Sequence, residues 1–243
     1  MRTPRIAAVT SLLAAALFTG WSGIATADSA TLKDVKARGV LNCGVSTGLI
    51  GFSVADDKNN WSGFDVDFCR AVAAAIFNDP AKVTFMPLNA EERFKALKDG
   101  KIDLLSRNST WAMSREVDYG VTFAGISYYD GQGFMVRRSR KVETALELSG
   151  ASVCVQSGTT TQLNLADYFR ANNMTFQELA FPNAAESIKA YGSGKCDVFT
   201  SDVSQLYAER LKLDKPDDHV ILADIISKEP LGPAVRQGDD GWL

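Results

Sequence analysis

A short stretch that occurs twice constrains this chain more than any other feature. "FKALKDGKIDLLSRN" (94–108) aligns without gaps on "IKAYGSGKCDVFTSD" (188–202), sharing Lys-Ala, Gly-Lys-x-Asp, two apolar residues and a hydroxyl. Each copy reads as the end of a helix, a glycine turn and a buried strand. A second pair, "GVLNCGVSTG" (39–48) and "GASVCVQSGT" (150–159), places Cys43 opposite Cys154. Common ancestry does not follow, because shared helix, turn and strand grammar would suffice, but similar architecture in the two halves does.

Periodicity fills in the first half. "GVLNCGV" (39–45) predicts a short buried strand, and "FDVDFCRAVAAAIF" (64–77) a helix with Phe64, Phe68, Val72 and Ala75 at helical spacing. Asp65 and Asp67 fall in its first turn, where the helix dipole favours acids. "KVTFMPL" then reads as strand, "AEERFKALKDG" as a helix ending at Gly100, and "IDLLS" as strand. Strand and helix alternate, which argues for an α/β class with a parallel sheet and covering helices, rather than α+β. Open sheets of this kind bind ligands beyond the carboxyl ends of their strands. Those ends are polar in both halves, "SRNST" (106–110) and "TSDVS" (200–204), with Asn108 opposite Asp202. If the halves face each other, both edges open into one cleft.

Arg2 and Arg5, an apolar run and Ala25-Thr26-Ala27 predict a secretory signal peptide over residues 1–27. No later stretch is long enough to span a bilayer. The chain carries 26 Lys+Arg against 29 Asp+Glu and has no basic tract, so nucleic acid and anionic membrane are poor partners. The single histidine, His219, lies in "DKPDDHV" and reads as an exposed turn, so neither a zinc site nor a Ser/His/Asp triad follows. No metal or cofactor is expected. Four cysteines in an exported chain predict two disulfides, with three pairings open.

"GFDVDFCRAV", "GKIDLLSRNSTWAMSREVDYGVTF" and "VCVQSGTTTQLNLADYF" together resemble the extracytoplasmic solute-binding proteins of polar-amino-acid ABC transporters, the bacterial extracellular solute-binding protein family 3. Within that family the general L-amino-acid receptors are most similar. The resemblance runs from about Thr31 to the end. It implies a two-lobed, type II periplasmic-binding-protein-like fold, each lobe a mostly parallel sheet flanked by helices, with the ligand cleft between lobes. Lobe 1 is expected over 28–131 and lobe 2 over 132–230, with 231–243 returning to a lobe 1 left incomplete, since family members continue for further helices. It further implies a monomeric periplasmic receptor that binds L-amino acids broadly and hands them to the permease of an ABC importer.

In that family an arginine following the polar strand end grips the ligand α-carboxylate, and the matching residue is Arg115. A planar guanidinium suits the task because it meets a carboxylate with two parallel hydrogen bonds. The alternative is an exposed pair with Glu116 or Asp118, which would be worth little. Thr159 and Thr160 match the family's carboxylate contacts at a helix start, where backbone N–H groups are free; either also suits an ordinary N-cap. Asp202 matches the acid that holds the α-ammonium, its alternative being a cap for "VSQLYAERL". Asn108, Ser109 and Thr110 can donate or accept beside Arg115. Leu49 aligns near a position that members selective for cationic or aromatic ligands often fill with a ring, so tolerance is expected. Trp111 and Phe52 either line the pocket or belong to lobe core.

The repeat puts one cysteine pair in each half, which makes Cys43 with Cys69 and Cys154 with Cys196 the economical pairing; the alternative is four small, reduced, buried residues. Two other functions stay open. One is an exported enzyme on the same fold, prephenate- or arogenate-dehydratase-like, with Glu229 or Glu116 as general acid. The other is a degenerate sensor or binding module.

Overall fold

A computed structural model describes residues 29–243; the predicted signal peptide lies outside the described residues. Lobe 1 runs through α1 (Ala30–Arg38), β1 (Leu41–Val45), the small hairpin β2 (Val54–Ala55) and β3 (Trp61–Ser62), α2 (Phe64–Phe77), β4 (Val83–Pro87), α3 (Arg93–Lys98), β5 (Leu104–Leu105), α4 (Met113–Tyr119) and β6 (Val121–Phe123). The chain then crosses to lobe 2, made of β7 (Tyr128–Arg137), β8 (Ser152–Gln156), α5 (Thr160–Ala171), β9 (Gln177–Phe181), α6 (Ala184–Gly192), β10 (Val198–Asp202), α7 (Val203–Arg210), β11 (His219–Ile221) and β12 (Ser227–Leu231). It returns as β13 (Ala234–Arg236), which joins the first sheet.

The first sheet has the order β4-β1-β5-β13-β6, and the second β11-β7-β10-β8-β9 with β12 also on β7. The strands that the alternation predicts are the parallel ones: β4, β1 and β5 in lobe 1, and β9, β8 and β10 in lobe 2. Each sheet is nevertheless mixed, because the crossing strands arrive from the opposite end. β13 lies antiparallel to β5 and β6, and β7 antiparallel to β10, β11 and β12. Helices cover both faces of each parallel core. Around β1, Val35, Val66, Cys69 and Ala73 pack on one side, while Leu97, Ile102 and Leu105 fill a second cluster with Val121 and Phe123. Lobe 2 repeats the plan with Leu165 and Phe169 in one cluster, and Ile188, Tyr191 and Leu206 in the other.

The repeated Gly-Lys-x-Asp does the same work in both lobes. Gly100 and Gly194 take positive φ values of 72° and 84°, which glycine adopts without a Cβ penalty. The next backbone N–H then turns back onto the preceding helix, from Lys101 to Ala96 O and from Lys195 to Ala190 O, each at 3.0 Å. The aspartate fastens its strand to a neighbour: Asp103 Oδ2 accepts from Asn42 N at 2.8 Å, and Asp197 Oδ2 from Ser152 N at 3.1 Å. Because each copy ends a helix and registers a strand, both loops that follow leave their sheets at the same edge.

Each lobe carries one disulfide, Cys43 to Cys69 between β1 and α2, and Cys154 to Cys196 between β8 and the turn before β10. The expectation of an exposed His219 is overturned. The imidazole is buried on β11, pinned to the β7 edge, with Nδ1 at 2.7 Å from the Tyr191 hydroxyl. Acids and a proline around it made the segment look solvated, but the strand pairing draws this one side chain inward. Burial, then the positive charge of Arg137, lowers its pKa from the usual range.

The lobe 2 disulfide spans 42 residues of sequence separation. Replacing Cys154 and Cys196 together by Ala is expected to lower stability by about 2–4 kcal/mol, read as a lower urea midpoint.

Candidate functional site

The polar loop after β5 and the short helix α4 make one wall. Arg115, in the first turn of α4, is only 6 % exposed, so its guanidinium is no surface ion pair. Its Nη1 donates to Thr110 O at 2.6 Å and its Cζ lies 5.3 Å from the Phe94 ring centre. Burial lowers its pKa, while Glu229 and Asp202 oppose that shift. Ser109 is buried with Oγ unpartnered, and half-buried Asn108 has an unpartnered Oδ1. The loop is propped from behind by Asp65 and Arg107. Burial raises Asp65 to about 7 against the lowering effect of Arg107, and lowers Arg107 to about 10 against the raising effect of Asp65.

The opposite wall belongs to lobe 2. Asp202 closes β10, 6 % exposed, with Oδ1 buried and unpartnered, and it forms no side-chain cap on α7. Burial pushes its pKa well above the carboxylate range, the neighbouring charges of Glu229 and Asp130 push the same way, and Arg115 and Arg93 pull back. Arg115 and Asp202 therefore feel each other's charge, yet no ion pair joins them among the described residues. At the start of α5, Thr159 is committed locally: its Oγ1 donates to Gln156 O at 2.7 Å and accepts from Gln162 N as the N-cap. Thr160 points its hydroxyl elsewhere, to Glu229.

Glu229 on β12 sits where the walls meet. Its Oε2 accepts from Thr110 Oγ1 at 2.5 Å and Thr160 Oγ1 at 2.8 Å, and its Oε1 from Asn164 Nδ2 at 2.7 Å and Ser227 Oγ at 2.5 Å. Four polar side chains thus converge on this one carboxyl group. Glu116 is elsewhere, accepting from Phe123 N at 3.1 Å.

Further contacts draw the lobes together. Ser157 Oγ donates to Glu91 Oε1 at 2.7 Å, Asn108 Nδ2 to Gln205 Oε1 at 3.2 Å, and Lys212 Nζ to Gly48 O at 3.2 Å. Leu49 is 3 % exposed in an apolar cluster with Phe52, Ala208 and Leu231 that joins lobe 1 to α7 and the end of β12. Trp111 is 39 % exposed and stacks on Phe123 with centroids 6.0 Å apart.

Thus Arg115, Asn108, Ser109, Thr110, Thr160 and Asp202 border one interlobe region, Leu49 forms part of its apolar rim, and Thr159 braces the helix beneath it. Two buried charges there were not foreseen as binding residues: Glu229, named from the sequence only as a candidate general acid, and Arg93, which lies in the predicted helix "AEERFKALKDG". Among the described residues no group of three His, Cys, Asp or Glu could hold a metal, and no helix is long and apolar enough to cross a membrane.

A cleft between two α/β lobes, cationic on one wall and acidic on the other, defines a two-lobed solute-binding protein. The chain belongs to the bacterial extracellular solute-binding proteins, family 3, whose pattern it matches over residues 41–240. It is 59 % identical over 221 residues to the general L-amino acid-binding periplasmic protein AapJ of Rhizobium johnstonii, covering 91 % of this chain and 65 % of that one. It is 51 % identical over 216 residues to the glutamate/glutamine/aspartate/asparagine-binding protein BztA of Rhodobacter capsulatus, covering 89 % and 64 %. The chain thus spans a little under two thirds of these curated relatives. A solved ABC transporter periplasmic binding protein from Brucella ovis with glutathione bound superposes with a TM-score of 0.85 at 60 % identity, covering 87 % of this chain and 67 % of that one.

Asp65 yields a pH prediction. Its folded-state pKa, about 7, lies above the ordinary 3.8, so between these values the folded protein holds a proton that the unfolded chain has lost. Its contribution therefore falls as pH rises through that window, by on the order of 4 kcal/mol in all. Asp65→Asn is expected to gain stability over the wild type at pH 7.5 relative to pH 4.5, measured by urea unfolding.

Proposed function

We propose that this chain acts as a periplasmic receptor that binds L-amino acids with broad side-chain tolerance in the interlobe cleft and delivers them to the permease of an ABC importer. The observation that carries the reading is the pair of buried opposite charges, Arg115 and Asp202, set on separate walls without an ion pair between them. An amino-acid zwitterion complements both. Arg115 takes the α-carboxylate through its planar fork, helped by the unpartnered Ser109 hydroxyl, with Thr110 and Thr160 beside it holding Glu229, and Asp202 with its free Oδ1 takes the α-ammonium. Asn108 steadies the rim, Thr159 holds the start of α5 in place, and Leu49 offers the ligand side chain an apolar, undemanding border.

Closure follows from the same charges. A buried charge that loses its partner costs about 3–5 kcal/mol, so enclosing both groups is more favourable with a zwitterion between them. Ligand then shifts the population toward the closed form through its higher affinity for that form. The expected boundary at 131/132 falls inside β7, so lobe 1 is better ended before Tyr128 and lobe 2 begun with β7, with 231–243 returning to lobe 1, and the receptor works as a monomer that presents its closed face to the permease. Support comes from the roles of the relatives, a general L-amino acid-binding periplasmic protein and a glutamate/glutamine/aspartate/asparagine-binding protein. The family's own description as solute-binding proteins favours this over the enzyme reading.

Calorimetry of the protein against a panel of L-amino acids tests the proposal. Arg115→Ala is expected to weaken every amino acid in the panel by about 100-fold or more; unchanged affinity would remove the carboxylate assignment. Asp202→Ala is expected to weaken L-glutamate far more than glutarate, which lacks the ammonium. Equal losses would remove the ammonium assignment.

A further inference from the structure

Lobe 2 carries a cavity that none of the residues assigned to the amino acid lines. β7 runs from Gln132, paired with Asp202, to Arg137, paired with His219, so the two ends of this stretch lie about 17 Å apart. At the Arg137 end, the last turn of α6, the segment after α7 and the start of β11 surround about 1070 Å³, the size of a small-molecule site.

The lining is charged and largely unpaired. Arg137, Arg138, Lys189 and Lys215 enter no ion pair among the described residues, and neither do Asp214 and Asp218. Lys212 is matched by Glu209 at 2.9 Å. Four cations against two acids leave two positive charges unbalanced. The arginines spend N–H groups on carbonyls, Arg137 on Cys196 O at 3.2 Å and on Tyr191 O, and Arg138 on Asp217 O at 3.2 Å. Lys189 and Lys215 are exposed and make no hydrogen bond among the described residues.

His219, 8 % exposed, is the buried polar side chain of the lining. Tyr191, which has no contact with solvent, packs against it with ring centres 5.2 Å apart, and the phenol has His219 Nδ1, at 2.7 Å, as its one partner among the described residues. Burial raises the Tyr191 pKa, so the hydroxyl keeps its proton. The tautomer that satisfies both groups has the phenol donating to Nδ1 and the imidazole proton on Nε2. Nε2 makes no hydrogen bond among the described residues, and the ring borders the cavity. The charged groups acting on the ring are Arg137 on β7, Asp218 beside it in the chain and Arg210 on α7. A largely buried N–H donor without an acceptor, at the edge of a cationic cavity, is complemented by an anion.

We propose that this cavity is a second ligand site and that its ligand is a phosphate monoester with a small apolar body. The inference goes beyond the receptor reading and stands without it. A phosphate monoester carries about −1.5 to −2 near pH 7, the charge that balances the lining. Its three oxygens suit separate point charges, Lys189 and Lys215, together with the Nε2–H. Ile188 and Leu213 give the organic part of the ester an apolar wall. A free phosphorylated metabolite and the headgroup of phosphatidic acid both bring this chemistry.

The test follows His219, the one histidine of the chain, by NMR in untagged protein while phenyl phosphate is added at constant ionic strength. A saturable shift of its resonance and a higher His219 pKa in the complex are expected, since a bound dianion favours the imidazolium. The double variant Lys189→Gln, Lys215→Gln, at exposed positions outside the core, is expected to weaken Kd about tenfold. Excess L-glutamate is expected not to compete; competition places the anion in the interlobe cleft and overturns the proposal. Equal binding of succinate, or an unaltered Kd in the double variant, overturns it too. Flotation with phosphatidylcholine vesicles, with and without phosphatidic acid, separates the two sources: capture that needs phosphatidic acid and is lost in the double variant sustains the site with the headgroup as its ligand, even where phenyl phosphate gives no shift. No response to either probe overturns it.

Discussion

Asp202 ends its strand with a buried oxygen that no group among the described residues satisfies, while Arg115, buried on the other lobe, is likewise without an ionic partner among them. Neither arrangement is stable on local grounds, since desolvated charges are tolerated when paired and hydrogen-bonded. The raised pKa of Asp202 and the lowered pKa of Arg115 are two signs of the same tension. Much of the surrounding structure serves to hold these groups apart yet facing: the disulfides stiffen each lobe separately, and the sheets meet through two crossing segments, one from β6 to β7 and one from β12 to β13. A single covalent brace between lobes would have fixed their separation. Its absence from the pairing leaves the distance between walls to be set by what lies in the cleft.

The repeated sequence explains how one chain makes two such walls. In each copy the glycine turns the helix back, the lysine N–H closes that turn, and the aspartate registers the strand against its neighbour. These are backbone tasks, which is why the copies agree there and diverge immediately afterwards, at "SRN" and "TSD". Shared grammar delivers both loops to the same sheet edge. Different residues at that edge give the walls opposite charge.

Features governed by local periodicity were legible before any coordinates. The helix over 64–77 coincides with α2, and the parallel strands fall where alternation places them, because buried faces and glycine turns act over a few residues. Features governed by distant pairing were not. Antiparallel β13 and β7 depend on the chain crossing between lobes, and His219 goes inward because β11 pairs with β7 and Tyr191 reaches its ring. Arg115, Asp202 and the hydroxyls were found through their places past strand ends and through family resemblance. Arg93 and Glu229 were not read as binding residues because nothing in "AEERF" or "SKEPL" separates a buried charge from a solvated one, yet both side chains are buried.

The turn at 156–160 shows how tightly closure and ligand recognition are combined. Gly158 has φ +70°, and a Cβ there would meet Glu91 Cγ of lobe 1 at 2.7 Å. A side chain at this position would hold the 89–92 turn away, and with it the hydrogen bond from Ser157 to Glu91. The same turn exposes the first N–H groups of α5, sets Thr159 as its cap and aims the Thr160 hydroxyl at Glu229 beside Thr110. The Thr110 and Thr160 hydroxyls both reach Glu229 Oε2 and also lie within hydrogen-bond distance of each other, 3.3 Å apart. Glu229 therefore links Thr110 of one wall with Thr160 of the other, while Gly158 permits contact with the 89–92 turn. Arg115 and Asp202 stand on these same two walls with no ion pair between them among the described residues, which is the opening that the proposed zwitterion would fill.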